Sequence, residues 1–368
     1  MVTRERIAYP VLMVLGALDA AGYSVIAPVT PAIASATGAG PALIGALVAS
    51  FPVGIMVGFV LGARGVKRGH STAVLLLSLG LVALGSLGFV LGHTLEVYFA
   101  ARLVMGLGSG GVWIGVTFGT LERWPGCEYL CMSRIFSAYA VGAMVGPALG
   151  AIGGIRAPFL AYLALLCASA ILVVVMGRPT TNRAFRSDFR MLRLPGFWLA
   201  SSAVLLVVLA LGTMDGVLPL HLAERLSQGE IGALYAGASL LVAASAAVAA
   251  RSRPGPLVLA SVALVVSGIA MAGLVDVVPL WIVAFGLAGL GAGAGYTGSA
   301  GVLFETVGTE RIVTAMVVWS QIGILGYVLG PLAGGAVAQG LGFGAIGLVP
   351  AAASALVLVT YARTRSVA

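Results

Sequence analysis

Long apolar runs alternate with short polar gaps along almost the whole chain. A helix needs about 20 mostly apolar residues to span a bilayer. Runs of this kind predict twelve helices, near residues 8–33, 41–64, 71–92, 95–121, 129–154, 157–177, 197–221, 229–250, 255–275, 278–304, 310–338 and 341–362. Most of the gaps are short and rich in glycine, proline and charge, which favours turns. The pattern predicts an all-α membrane protein with twelve transmembrane helices.

One longer polar stretch, residues 178–195, lies at the middle of the chain and carries five arginines. It predicts a division into an N-terminal six-helix bundle (1–177), a basic cytoplasmic linker (178–195) and a C-terminal six-helix bundle (196–368).

The two halves also repeat short sequences at nearly the same offset, which indicates an internal duplication. The pairs are Ile-Gly-Ala-Leu at 44–47 and 231–234, Gly-Leu-Gly through Glu at 106–122 and 289–305, and Gly-Pro at 146–147 and 330–331. Two pseudo-symmetric bundles of this kind place a substrate site at their interface, near the middle of the bilayer.

Composition supports the membrane assignment. Only 9% of the residues are charged, whereas a soluble domain has about 25%. The net charge of +8 could indicate a nucleic-acid partner, but the basic residues lie in the gaps between apolar runs, where they face lipid headgroups. Three cysteines, Cys127, Cys131 and Cys167, form no disulfide or metal pattern. We therefore expect no nucleic acid, cofactor or metal.

The basic residues are distributed unevenly between the two sides of the predicted bundle. With a cytoplasmic N-terminus, the cytoplasmic side holds Arg4, Arg6, Arg64, Lys67, Arg68, Arg123, Arg134, Arg178, Arg183, Arg186, Arg190, Arg193, Arg251, Arg253, Arg311, Arg363 and Arg365. The other side holds Arg156 and Arg225, and Arg102 lies within a span. This bias predicts a multi-pass membrane protein with both termini in the cytoplasm. We expect it in the plasma membrane.

The fifth predicted span carries a glycine and proline motif, with Gly142, Gly146, Pro147 and Gly150 in register. Glycines four residues apart form a flat helix face for close packing, and a membrane proline bends the helix. Plain helix packing is the alternative explanation, since GxxxG occurs in many unrelated spans, but the Gly-Pro core with flanking glycines is more specific than GxxxG alone. The pattern also resembles the GxxxGPxxG motif of the drug:proton antiporters in the major facilitator superfamily.

Two further segments carry the same resemblance. Residues 102–110 begin with Arg102 and are similar to the RxxQGxG motif of the family, with Met105 in place of glutamine. Because an arginine within a span costs at least ~2.5 kcal/mol, Arg102 should face a cavity or a carboxylate, or else extend to the membrane surface. Residues 27–31, Ala-Pro-Val-Thr-Pro, are similar to the end of the first span in twelve-span drug exporters.

The loop after the second span resembles the GxxxDRxGRR motif of the family only in part. Gly62, Lys67, Arg68 and Gly69 keep its glycine and basic positions, but Val66 replaces the acid. In the family that acid stabilises one end state through a charge contact. The absence of the acid leaves open how the conformational switch is latched here, and the fold is expected to be unchanged.

Asp19 is the strongest candidate for a functional side chain. It lies about 16 Å along the first predicted helix, where a carboxylate must be protonated or paired. It could bind a cationic substrate, carry a proton, or form a structural hydrogen bond to a neighbouring helix. Tyr23 lies one turn further on the same face and could contribute an aromatic ring to a cation site.

Three other acids are candidates of lower rank. Asp215 lies in the seventh predicted span between Gly212 and Gly216, and could serve a proton step or line a hydrated vestibule. Glu122 and Glu305 end the fourth and tenth spans beside arginine-containing loops, where they could be solvated ion pairs or parts of a gate.

The resemblance implies the major facilitator fold and a secondary transporter that works by alternating access. We expect proton-coupled efflux of a small hydrophobic or cationic compound, as in multidrug resistance antiporters, by a protein that works as a monomer. A uniporter or symporter for a small metabolite is the main alternative. A membrane enzyme is disfavoured because no polar catalytic cluster is visible, and an ATP-driven pump because GxxxxGK[ST] is absent.

Overall fold

The structure, a computed structural model, describes residues 2–68, 70–124, 128–177, 189–307 and 311–367. Within these ranges the chain is helical throughout, apart from turns and short connections. The helices are α1 (Val2–Ser24), α2 (Thr30–Thr37), α3 (Pro41–Lys67), α4 (Ser71–Leu91), α5 (Leu95–Arg123), α6 (Glu128–Gly150), α7 (Arg156–Met176), α8 (Pro195–Leu222), α9 (Gln228–Ala249), α10 (Pro254–Leu274), α11 (Val278–Val307), α12 (Ile312–Leu341) and α13 (Leu348–Val367).

Eleven segments within the described residues are long and apolar enough to cross a membrane. They are Ile7–Thr37, Pro41–Lys67, Ser71–Leu91, Leu95–Thr120, Arg156–Met176, Pro195–Leu222, Gln228–Ala249, Pro254–Leu274, Val278–Val307, Thr314–Leu341 and Phe343–Thr364. The helix α6, with 23 residues, is the twelfth long element. The predicted all-α fold with twelve long helices is confirmed.

The first span differs from its prediction, which was one helix over 8–33. The helix α1 ends at Ser24, a 3₁₀ turn follows at Ala27–Val29, and α2 begins at Thr30. Pro28 and Pro31 lack the N–H groups that a continuous helix would use, and each restricts the residue before it. The span is therefore broken close to the candidate residues Asp19 and Tyr23.

The chain forms two compact units. The first comprises Met1–Ala39, Ser50–Phe185 and Leu226–Ala236. Within it, α1 packs against α5, α6 and α7, while α4 packs against α5 and α7. The candidate Asp19 thus lies on a helix that packs against three others.

The second unit comprises Gly40–Ala49, Arg186–Arg225 and Gly237–Ala368. Its central helix is α8, which contacts α10, α11, α12 and α13 and is buried along most of its length. Its core includes Phe197, Val204 and Trp319. Asp215 lies on this central helix.

Each unit includes a short segment from the other half of the sequence, and these segments contain the Ile-Gly-Ala-Leu repeat. Gly45, at the start of α3, packs on the backbone of Pro331 in the second unit. Gly232, at the start of α9, packs on the backbone of Pro147 in the first unit. The repeated glycines therefore meet the repeated Gly-Pro motifs, and a side chain at either position would separate the two helices.

Part of the predicted linker, 178–188, lies outside the described residues. The remainder forms a 3₁₀ turn at Arg190–Arg193, and Pro195 then begins α8.

Candidate functional site

Asp19 is almost fully buried in the first unit, with 9% of its surface exposed. The hydroxyl group of Ser109 on α5 donates a hydrogen bond to its carboxylate. Ser109 lies seven residues after Arg102, so two helical turns place both side chains on the face of α5 that meets α1. The structure therefore brings Asp19 and Arg102 to the same helix contact at different levels.

Arg102 is completely buried and binds the end of α1. Its Nη1 donates to the carbonyl oxygen of Gly22 at 2.9 Å, and its Nη2 donates to that of Tyr23 at 2.7 Å. The last carbonyls of a helix lack partners within the helix, and a cation is favourable at this end. The guanidinium group also lies 4.2 Å from the centre of the Phe51 ring. Arg102 does not extend to the surface; it caps the point at which the first span breaks.

Two tyrosines, one on α1 and one on α7, lie at the same part of α1. Tyr23 is buried and its ring lies 5.7 Å from that of Phe51. Tyr162 of α7 donates a hydrogen bond to the carbonyl oxygen of Leu18 at 2.9 Å. It fits there because Gly22 has no side chain; a Cβ atom at Gly22 would collide with the Tyr162 hydroxyl. Helices α5 and α7 thus hold α1 on either side of Asp19.

The glycine motif of α6 forms the third contact with α1. A Cβ atom added at Gly142 would collide with Ala17, one at Gly146 with Ser24, and one at Gly150 with Val25. The flat face predicted from the sequence therefore lies directly on the helix that carries Asp19. This packing accounts for the glycine spacing by itself, and it also fixes the position of Asp19.

The second unit repeats this helix pair. Gly326 and Gly330 of α12 pack against the backbone of α8 at Leu205 and Leu209, and Thr213 donates to the carbonyl oxygen of Gly330 at 3.1 Å. The internal repeat thus encodes one arrangement twice, with α8 and α12 in the roles of α1 and α6.

Asp215 is half-buried on α8, one residue from Gly216, which packs on Pro331. Its carboxylate interacts electrostatically with Tyr296, which hydrogen-bonds to Tyr327. These groups lie in the second unit, whereas Asp19, Tyr23 and Arg102 lie in the first. Each unit therefore contains its own acid with aromatic hydroxyl groups nearby.

Glu122 and Glu305 occupy equivalent positions in the repeat but have different surroundings. Glu122 is 5% exposed, whereas Glu305 is exposed. Burial raises the pKa of Glu122, and the adjacent Arg123 opposes that rise. Arg123 itself donates to the carbonyl oxygen of Gly177 at 2.9 Å, which ties the end of α5 to that of α7. A symmetric pair of gate residues is therefore not apparent from their burial.

At the end of α3, the valine that stands at the acid position of the motif is buried. Val66 is 2% exposed and belongs to the core, while Lys67 and Arg68 are exposed. The carbonyl oxygen of Gly65 accepts hydrogen bonds from the backbone of Arg68 and His70. Gly62 packs on Gly111, whereas Gly69 lies outside the described residues.

Sequence reasoning missed Ser109, Tyr162 and Phe51. Ser109 stands inside the glycine-rich motif of α5, seven residues from Arg102, and this helical spacing was the available signal. Tyr162 and Phe51 lie in apolar runs that carry no local signal, because their contacts join distant segments.

A cavity of about 480 Å³ also opens in the first unit, lined by Leu84, Leu87, Gly88, Leu91, Gly92, His93, Thr94 and Val97. None of the candidate site residues lines it. Its walls are almost entirely apolar, as expected for a surface that faces lipid.

The fold, the buried acid and the broken first span together define a multi-span α-helical membrane protein with two related units. The profile of the Major Facilitator Superfamily matches residues 12–251, and the chain belongs to this family of transporters rather than to an enzyme family.

Solved structures agree with this assignment at the level of the fold. A bacterial homologue of the human lysosomal transporter Spinster, inward-facing and unoccupied, is 13% identical with a TM-score of 0.74, over 97% of this chain and 92% of that one. The occupied form of the Spinster homologue has a TM-score of 0.73 at 13% identity, over 96% of this chain and 94% of that one. The human organic anion transporter MFSD10 is 18% identical with a TM-score of 0.66, over 97% of this chain and 98% of that one. No curated protein sequence matches the chain.

Proposed function

We propose that the protein exports a small hydrophobic or cationic compound in exchange for protons, by alternating access. The observation that carries this proposal is the buried Asp19 carboxylate, held in the middle of a broken span by contacts from α5, α6 and α7. A carboxylate at this depth is stable when it is protonated or paired with a cation. One group can therefore exchange a proton for a cationic substrate.

Arg102 fits a positioning role in this scheme. Its hydrogen bonds to Gly22 and Tyr23 fix the end of α1 one turn from Asp19. A movement of α1 relative to α5 would break these bonds. Direct binding of substrate by Arg102 and Tyr23 is the alternative, and Asp215 is the corresponding candidate in the second unit.

Export rather than uptake is favoured by the Gly142, Gly146, Pro147 and Gly150 motif, which is similar to that of the antiporter branches. The distribution of basic residues supports a multi-pass protein with both termini in the cytoplasm. Location in the plasma membrane and action as a monomer are proposed from the resemblance to the antiporters. Since MFSD10 is named as an organic anion transporter, organic anions belong in the substrate screen. An ionised Asp19 would repel such substrates.

The experiment is transport into proteoliposomes of purified protein with an imposed pH gradient, screened with cationic drugs, organic anions and neutral metabolites. Antiport predicts that a cationic compound accumulates on the side of higher proton concentration and that collapse of the gradient abolishes accumulation. Equilibration that ignores the gradient would instead indicate a uniporter. Accumulation with the proton flow would indicate a symporter, and both results would contradict the proposal.

A further inference from the structure

The turn that precedes α8 has three faces of different chemistry. A 3₁₀ helix has three residues per turn, so side chains three positions apart lie on one side. Met191 and Leu194 form the inner side: Met191 is 0% exposed within the core cluster, and Leu194 packs against that cluster. Arg190 and Arg193 form a second side, and both are exposed.

Phe189 and Leu192 form the third side, and they are 56% and 38% exposed. Trp198, in the first turn of α8, is also exposed, at 47%. Its indole N–H donates to the carbonyl oxygen of Leu192 at 2.9 Å, which fixes the ring against the turn. Three large apolar side chains thus face outward around two arginines.

This turn stands at the end of a membrane span, because Pro195–Leu222 is apolar enough to cross a bilayer. Exposed tryptophan is typical of the interface between the hydrocarbon and headgroup layers. At that level, Phe189, Leu192 and Trp198 would contact acyl chains, and the arginines would reach lipid phosphate groups.

Other basic residues lie at the same end of the second unit. The core cluster that holds Met191 also contacts Ile312 and Tyr361. Ile312 follows Arg311 in the sequence, and Tyr361 lies two residues before Arg363. Glu305 is the exposed acid at this end among the described residues. The surroundings are therefore basic, which favours a lipid with net negative charge over a zwitterionic one.

We propose that the turn at 189–198 binds the headgroup of an anionic phospholipid, with Arg190 and Arg193 on the phosphate and Phe189, Leu192 and Trp198 among the acyl chains. The site would anchor the second unit at the membrane surface. It does not depend on the transported substrate or on proton coupling.

The experiment is native mass spectrometry of the full-length protein with phosphatidylglycerol or phosphatidylcholine added at equal concentrations. Two arginines near an anionic layer predict that Arg190→Gln/Arg193→Gln weakens retention of phosphatidylglycerol roughly 30-fold, with little effect on phosphatidylcholine. The matched control is Arg64→Gln/Lys67→Gln, which removes two exposed cations from the end of α3 and should leave that retention unchanged. Arg190→Lys/Arg193→Lys keeps the charge and should retain most of the binding.

Equal retention of phosphatidylglycerol by wild type and Arg190→Gln/Arg193→Gln would overturn the proposal. So would an equal loss in the Arg64→Gln/Lys67→Gln control. A third arm adds glycerol phosphate, which lacks acyl chains. If glycerol phosphate displaces phosphatidylglycerol at similar concentrations, the turn recognises free phosphate and the lipid assignment is wrong. Trp198→Ala should weaken lipid retention without changing the thermal midpoint of the lipid-free protein.

Discussion

At the residue scale, Arg102 can be buried in a membrane span because two carbonyl oxygens at the end of α1 accept its hydrogen bonds. Those carbonyls are available because α1 ends at Ser24, and the last carbonyls of a helix have no partner within it. The hydrogen bonds at the end of α1 therefore offset part of the cost of burying Arg102 in a membrane span. Its neighbour Asp19 has a single described partner hydroxyl, Ser109, and is the more suitable group for reversible exchange.

Replacing Arg102 with glutamine should destabilise the first unit. Each lost hydrogen bond from a charged donor costs about 1.5–3 kcal/mol. Thermal unfolding of purified protein should show a lower midpoint for Arg102→Gln than for wild type. The midpoint of Arg102→Lys should lie between those of wild type and Arg102→Gln, because lysine keeps the charge but lacks the forked guanidinium donors. An unchanged midpoint in Arg102→Gln would show that these bonds do not hold α1.

Glu122 should make stability depend on pH. Because burial raises its pKa, the folded chain keeps a proton that an unfolded glutamate, with a pKa of about 4.3, has already lost. Stability should therefore fall as pH rises from about 4.3 through the raised pKa of the folded state. Glu122→Gln carries no charge in either state and should remove this part of the decline.

The measurement is the thermal midpoint of both proteins between about pH 4 and pH 8. As pH increases, the thermal midpoint of wild type should fall relative to that of Glu122→Gln. A constant difference would mean that Glu122 has the same proton affinity in the folded and unfolded chains.

At the element scale, the close contact of α6 with α1 explains the spacing of Gly142, Gly146 and Gly150. The same contact recurs between α12 and α8, which explains why both halves carry a Gly-Pro pair. In each case a helix backbone occupies the space that a side chain would need. The motif thus has a structural basis that is independent of any substrate.

Gly142→Ala should therefore destabilise the protein, because its new methyl group would strike Ala17. Overpacking of this kind costs typically about 1–3 kcal/mol. The matched control is Gly237→Ala on α9, where an added Cβ atom meets nothing within 4 Å. Chemical unfolding should give a lower free energy of unfolding for Gly142→Ala than for wild type, and an equal or higher one for Gly237→Ala. Equal free energies of unfolding for the two variants would refute the close contact.

The helices themselves could be predicted from apolar run length, since each span must bury about 20 residues in lipid. The first span was predicted at the right place, but the break within it was missed. Pro28 and Pro31 were visible, yet membrane helices often continue through proline.

The partners of Asp19 and Arg102 could not be predicted. Asp19 is paired with Ser109 of α5, and Arg102 with carbonyl oxygens at the end of α1 and the ring of Phe51 in α3. The helical spacing from Arg102 was a signal for Ser109, but no local pattern indicates which distant helix faces meet.

At the scale of the whole molecule, membership of the Major Facilitator Superfamily establishes a transporter. The proposal that transport is coupled to protons rests on Asp19. The fold supplies two units that each contain an acid close to tyrosine hydroxyl groups. Only the first of these acids is almost fully buried, and it lies on the helix that three others fix. Proton exchange at Asp19 is therefore the central claim.

The most direct test is substrate-evoked proton release from proteoliposomes, with wild type, Asp19→Asn and Asp215→Asn compared side by side. The proposal predicts that a cationic substrate releases protons from wild type and from Asp215→Asn, whereas Asp19→Asn gives only the signal of empty liposomes. Substrate that crosses the membrane without moving protons in wild type would contradict the proposal, as would proton release that survives in Asp19→Asn. Asp19 would then be a structural residue of the α1–α5 contact.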